Sequence, residues 1–273
     1  MGMMKGRNLV NIIGIPCWLF LIWKGDIYYT LFILTCICLA LGEFYSIAQK
    51  KGAQPLRWMG MASAVFIADY YYVQPSITPH EVLGGIILIT IMTCVWELFS
   101  GKDNPGQNIS ATLAGILIIP VLLGTAIDIR QFDLLMDTNL TLAMVISVWA
   151  CDSAAFIFGT KFGVKKIFPR VSPKKSWVGS IAGLVASLVI FYLFYNQKWL
   201  GDYFSLKDTI AFGLIAGVFG QIGDFSESLL KRDAGIKDSG TLLAGHGGVL
   251  DRFDSLIIAT PLTYLYVHFL MKL

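Results

Sequence analysis

About twenty predominantly apolar residues in succession recur nine times along this chain, and as α-helix that length matches the hydrocarbon thickness of a bilayer. The runs fall at 8–24, 27–48, 57–73, 81–99, 108–127, 138–160, 176–196, 208–230 and 252–271. Asp69 interrupts the third, and Asp224 and Glu227 the eighth. No barrel-like alternation is present, and in lipid the other structure that satisfies its own backbone is the helix. Only 14% of the residues are charged, against about 25% in soluble domains, so water is not the only solvent. The expected fold is all-α, a polytopic transmembrane helical bundle of about nine spans. The first run follows Lys5 and Arg7 as a signal peptide's would, but it lacks a small-x-small cleavage site and reads as a retained span. All five cysteines lie in apolar stretches without a CxxC pair, so they read as small packing residues.

Charge placement orients the bundle. With the N-terminus inside and nine alternating spans, sixteen of the 21 Lys and Arg residues fall on inside segments. The outside segments keep Lys24, Arg130, Lys198, Lys207 and Lys272, so the positive-inside rule favours N-in, C-out. The outside loop 128–137, with Asp128, Asp133 and Asp137, reads as a solvated connector. The chain divides into N-terminal helices, 1–135, and a C-terminal half, 136–273, with two polar inside loops at 160–176 and 231–251, where any catalytic residues are expected.

Acids at lipid depth are costly, which makes Glu43, Asp69, Glu97, Asp152, Asp224 and Glu227 functional suspects. Near a helix end, Asp69 and Glu97 can instead reach interfacial water, and Glu43 can be structural. The stretch from Gln221 to Asp254 is denser. On a continuing helix Asp224, Glu227, Ser228, Lys231 and Arg232 share one face, either as a salt-bridged stripe or as a site. Gly245, Gly247 and Gly248 flank His246, a backbone able to approach an anion closely. Asp251 then opens the last span, where a carboxylate caps a helix or binds a metal.

The loop 160–176 is basic, as topology alone would require, but Ser172-Pro173-Lys174-Lys175-Ser176 is more pointed. Proline after an N-cap serine suits a first helical turn, so the seventh span is expected to begin there with its lysines at a phosphate-attracting end. Carboxylates, clustered cations and a glycine turn together suit metal-assisted chemistry on phosphates. There is no Walker A sequence, no HxGH and no GxGxxG, so a soluble nucleotide fold is not supported.

Residues 228–255, SLLKRDAGIKDSGTLLAGHGGVLDRFDS, resemble the signature of the phosphatidate cytidylyltransferase family, S-x-x-K-R, then K-D, then H-G-G-x-x-D-R-x-D. The matching positions are Ser228, Lys231, Arg232, Lys237, Asp238, His246, Gly247, Gly248, Asp251, Arg252 and Asp254. Residues 151–179 are similar to a second family block, D-x-x-A-Y-x-x-G-x-x-F-G followed by S-P-K-K-T-W-E-G. They depart from it at Phe156, Ser176 and Val178, and position 178 is left out of the site because it loses a charge.

The resemblance implies that CTP and membrane phosphatidic acid give CDP-diacylglycerol and pyrophosphate, at a site facing the cytosol from a cell inner membrane. It implies divalent metal on Asp224 and Asp251, taken as Mg²⁺, with a second, monovalent cation such as K⁺ as a family trait. Lys231, Arg232, Lys237 and Arg252 would neutralise phosphates. Ser172, Lys174, Lys175, Ser228, Asp238, His246, Gly247, Gly248 and Asp254 would bind substrate. A homodimer is a family expectation, and no nucleic-acid partner is expected. Two alternatives stand beside this reading: a CTP-dependent lipid kinase, which would transfer the γ-phosphoryl group instead, and a secondary transporter, which would use buried acids as an ion path.

Overall fold

The computed structural model describes residues 14–73, 79–242 and 247–271; His246 and Gly245 lie outside them. Among the described residues there is no strand, and nine helices follow the nine apolar runs in order. They are α1 (Gly14–Lys24), α2 (Asp26–Lys50), α3 (Arg57–Val73), α4 (Pro79–Ser100), α5 (Pro105–Met136), α6 (Leu140–Phe162), α7 (Trp177–Asn196), α8 (Leu206–Asp233) and α9 (Leu250–Leu270). Seven are long and apolar enough to cross a membrane; α1 is shorter, and α3, at 17 residues, falls just under the required length. Solvation is inverted relative to a soluble protein. Leu83, Ile87, Ile91, Leu98 and Phe99 of α4 are exposed, while Glu97, Asn108, Asp133, Glu227 and Lys231 are buried. An apolar exterior around polar contacts is what lipid requires, and the fold is an all-α polytopic membrane bundle.

Two compact units make up the chain, 1–128 with 233–251, and 129–232 with 252–273. The sequence division at 135/136 assigns the last polar loop to the C-terminal half, whereas by packing this loop belongs with the N-terminal helices.

In the first unit the Tyr45 ring fills the space between helices. A Cβ on Gly60 or Gly115 would strike it, and its hydroxyl donates to the Thr112 carbonyl at 3.0 Å. Glu97 does not reach for interfacial water. Buried in α4, it accepts from Asn108 Nδ2 at 2.5 Å, and Asn108 Oδ1 accepts from the Gln54 amide at 2.6 Å. Asp69, by contrast, is exposed near the end of α3. Pro120, which has no N–H to give, sits in a π-helical turn of α5 at Leu117–Val121, where Tyr71 donates to the Val121 carbonyl at 3.0 Å.

The helix containing Pro120 runs nine residues beyond the end expected from hydropathy, because the supposed solvated connector is mostly helical, and two of its three acids are buried. Asp128 is buried, and Asp133, 2% exposed, faces the next helix. The Asp133 carboxylate accepts from the amides of Leu140 at 2.7 Å and Thr141 at 2.8 Å, satisfying the first turn of α6. Asp137, in the left-handed region, makes the intervening turn. Asp133→Ala should therefore lower stability by about 2 kcal/mol, read as an earlier thermal midpoint in detergent.

The second unit is held by helices in close approach. A Cβ on Gly179 or Gly183 of α7 would meet the backbone carbonyls of Ala155 or Cys151 in α6. Gly213 and Gly217 of α8 lie against Leu188 and Leu184 of α7, and Ser187 donates across to the Gly213 carbonyl at 2.9 Å. This is a small-xxx-small contact, in which dispersion and polar bonds replace the hydrophobic drive that lipid removes.

Candidate active site

The loop between α6 and α7 is a folded excursion. A bridge pairs Lys166 with Ser176, the Trp177 amide donates to the Lys165 carbonyl at 3.0 Å, and the Ile167 amide to that of Lys175 at 3.3 Å. The helix that follows begins four residues later than Ser172-Pro173 suggests. Its cap is Ser176, whose Oγ accepts from the Gly179 amide at 3.3 Å. The correction has a chemical consequence. Lys174 and Lys175 precede the helix rather than ride its first turn, and so can bend toward a neighbour.

Lys175 pairs with Asp224 of α8. Its ammonium also lies 4.4 Å from the centre of the Phe225 ring, itself edge-on to Phe168. Asp152, Ser172, Lys174, Lys175, Gln221 and Asp224 line a pocket of about 290 Å³ in this unit. The structure therefore brings three predicted substrate residues to the predicted metal ligand Asp224. It adds Asp152 and Gln221, to which the sequence assigns no role. For Asp152 the sequence offers two signals, its cost at lipid depth and the D-x-x-A match to the second block.

A π-helical turn at Ile215–Phe219 sets the face of α8 that bears Asp224. Gln221 steadies it, donating through Nε2 to the carbonyls of Gly217 at 2.5 Å and Ser180 at 3.1 Å. Further along, Ser228 donates to Asp224 at 3.4 Å, Lys231 pairs with Glu227, and Arg232 Nε donates to the Val171 carbonyl of the basic loop at 3.2 Å. Asp254 of α9 lies in the electrostatic field of Asp224, Glu227 and Asp152, and Arg252 in that of Asp152. Four carboxylates thus share one electrostatic neighbourhood with three cations: Lys175 pairs with Asp224, Lys231 with Glu227, and Arg252 acts on Asp152.

The remaining signature residues lie in the first unit. Lys237 and Asp238 are exposed. Gly247 has φ +79°, and a Cβ there would meet the Asp251 carboxylate. Asp251 Oδ2 accepts from the Gly248 amide at 2.7 Å and from the Ser239 amide at 3.0 Å, with Ser239 Oγ at 2.9 Å. Ser239 Oγ is also 2.7 Å from Glu43 Oε2. Asp251 thus has a capping role whatever else it does. Asp224 and Asp251 stand in different units.

Among the described residues no three or more His, Cys, Asp or Glu side chains are grouped to hold a metal ion. A closed protein cage is therefore not what these residues build. Mg²⁺ does not need one, since it commonly takes one or two carboxylates and completes its shell with water and phosphate oxygens. A partly open carboxylate such as Asp224, beside a lysine and a pocket, fits that habit.

Known proteins resemble this chain over most of its length. Over 97% of both chains, the protein is 30% identical to a phosphatidate cytidylyltransferase of Synechocystis. It is 32% identical, over 96% of both, to one of Bacillus subtilis. Against that of Haemophilus influenzae it is 42% identical over 135 residues, 48% of this chain and 46% of the other. Residues 5–270 match the cytidylyltransferase family from end to end, and the chain belongs to it.

Proposed function

We propose that this membrane enzyme is a phosphatidate cytidylyltransferase, converting CTP and phosphatidate to CDP-diacylglycerol and pyrophosphate. The observation that supports the reading best is the pocket where Ser172, Lys174 and Lys175 surround Asp224, a place for phosphate and cation on a helix otherwise suited to lipid.

The chemistry is an exchange at one phosphorus. An oxygen of the lipid phosphate forms a bond to the CTP α-phosphorus, and the bond to the β-phosphate oxygen breaks, releasing pyrophosphate. No general base is required, because the lipid phosphate is already anionic near neutral pH. Two anions must approach, so the protein's task is charge and position. Lys174 and Lys175 supply positive charge at the pocket, and Ser172 a hydroxyl. Lys231, Arg232, Lys237 and Arg252 are assigned to phosphate neutralisation by the signature, as are Ser228, Asp238, His246, Gly247, Gly248 and Asp254 to substrate contact.

Asp224, and by the signature Asp251, are the carboxylates proposed to bind Mg²⁺. When bound, the ion offsets triphosphate charge and stabilises the leaving pyrophosphate. With the N-terminus inside, the basic loop faces the cytosol of a cell inner membrane, where CTP is dissolved and the lipid headgroup lies within reach.

The purified protein is expected, with Mg²⁺, phosphatidate and CTP labelled at the α-phosphate, to place label in the lipid and release pyrophosphate. Label released as CDP, with none in the lipid and no pyrophosphate, would mean γ-phosphoryl transfer and reject this reaction.

A further inference from the structure

Glu43 of α2 is an acid in a span that the reaction above does not use. Its carboxylate is nevertheless saturated by the last polar loop. Oε1 accepts from the Val249 amide at 2.9 Å, and Oε2 from the Leu250 amide at 2.9 Å, with Ser239 Oγ at 2.7 Å. Val249 immediately precedes α9 and Leu250 begins it, where the first amides have no partners within the helix. A carboxylate from roughly two hundred residues earlier in the chain thus caps this helix, with its charge at the positive end of the helix dipole.

Two glycines let the loop close on that carboxylate. A Cβ on Gly240 or on Gly248 would collide with Glu43, and one on Gly248 would also strike Ser239 Oγ. The same serine touches Asp251, whose Oδ2 is 2.9 Å from the hydroxyl. The single hydroxyl proton of Ser239 serves one carboxylate at a time, so the serine couples the orientation of Asp251 to that of Glu43.

We infer that Glu43 is a positioning residue of the enzyme: by capping α9 and gripping Ser239, it fixes the loop carrying Gly247, Gly248 and Asp251. The role in turnover rests on the proposed reaction; the clamp on the loop does not.

The test uses the full chain in detergent with Glu43→Gln, which keeps the volume but turns an N–H₂ toward one of the donors. Hydrogen exchange without nucleotide or metal is expected to rise at least about tenfold at residues 247–252, leaving 225–232 unchanged. Turnover should fall about a hundredfold, with the Mg²⁺ concentration for half-activity raised about tenfold and part of the loss recovered at excess Mg²⁺. A general folding defect would show no such recovery. Ser239→Ala, which leaves both amide bonds to Glu43, should shift the same readouts a few-fold, and it decides the matter if Glu43→Gln does not insert. Wild-type exchange at 247–252 in the variants would overturn the clamp. Faster exchange with wild-type turnover and Mg²⁺ requirement would overturn the positioning role. Inactive wild-type protein with the exchange result intact would instead reject the proposed reaction and leave the clamp standing.

Discussion

Asp224→Asn is expected to reduce CDP-diacylglycerol formation by roughly 10³-fold while leaving membrane insertion and thermal unfolding close to those of the wild type. Asparagine has nearly the same shape and still accepts from Ser228, so packing gives no reason for a large change. What disappears is the charge. Lys175 loses its anionic partner, and the proposed Mg²⁺ would lose a carboxylate that an amide oxygen replaces weakly. Lys175→Met, tested in parallel, should cost less, because the group of cations around the four carboxylates retains Lys231 and Arg252. The double variant should be little worse than Asp224→Asn alone, since the two side chains share one interaction. Activity within tenfold of wild type for Asp224→Asn would remove this aspartate from the chemistry.

The second large effect is expected at Gly223, where no polar group is lost. A Cβ at this position would run into the backbone carbonyl of Asp254, with the Cα of Ser255 3.2 Å away. Both obstacles are main chain, so no rotamer change relieves the clash, and α8 and α9 must separate. Gly223→Ala should therefore destabilise the protein by about 2–3 kcal/mol despite alanine's better helix propensity. It should also depress activity more than stability, because Asp224 and Asp254 adjoin the contact. Thermal unfolding in detergent and turnover of the surviving folded fraction separate the two. An unchanged midpoint would show that the helices have room to spare here.

The sequence marks these two neighbours very unequally. Asp224 stands out because a charge at lipid depth violates hydropathy, whereas Gly223 is one glycine among many, and its constraint belongs to a helix that begins some thirty residues later. The helices themselves are legible because bilayer thickness sets a ruler that soluble folds lack. The ruler fails at Asp133, since it equates acids with water. There the acid is buried because it caps the next helix, a partnership across a turn that hydropathy does not encode. The cap rule fails at Ser172, where proline follows serine but no helix starts; the apolar run begins at 176, and Ser176 is the cap. Glu43 has no legible role in the sequence, because its partners lie near the far end of the chain. Asp152 is conspicuous there by its cost and its motif, and gains a setting only where its pocket forms.

The π-helical turn at Ile215–Phe219 carries a consequence for how this chain can change in length. Such a turn holds one residue more than an α-helix would in the same rise. Deleting one residue from it would let α8 relax to regular geometry with its downstream face nearly in register, whereas deleting one from a regular turn of α8 would swing everything downstream by roughly 100° about the helix axis. Asp224, Glu227, Ser228 and Lys231 would then point as a set toward a different neighbour, with hydropathy almost unaltered. Such a lineage would keep its place in the membrane and lose its chemistry in one step, so single-residue deletions should be tolerated at the π turn and far rarer in the regular turns of α8.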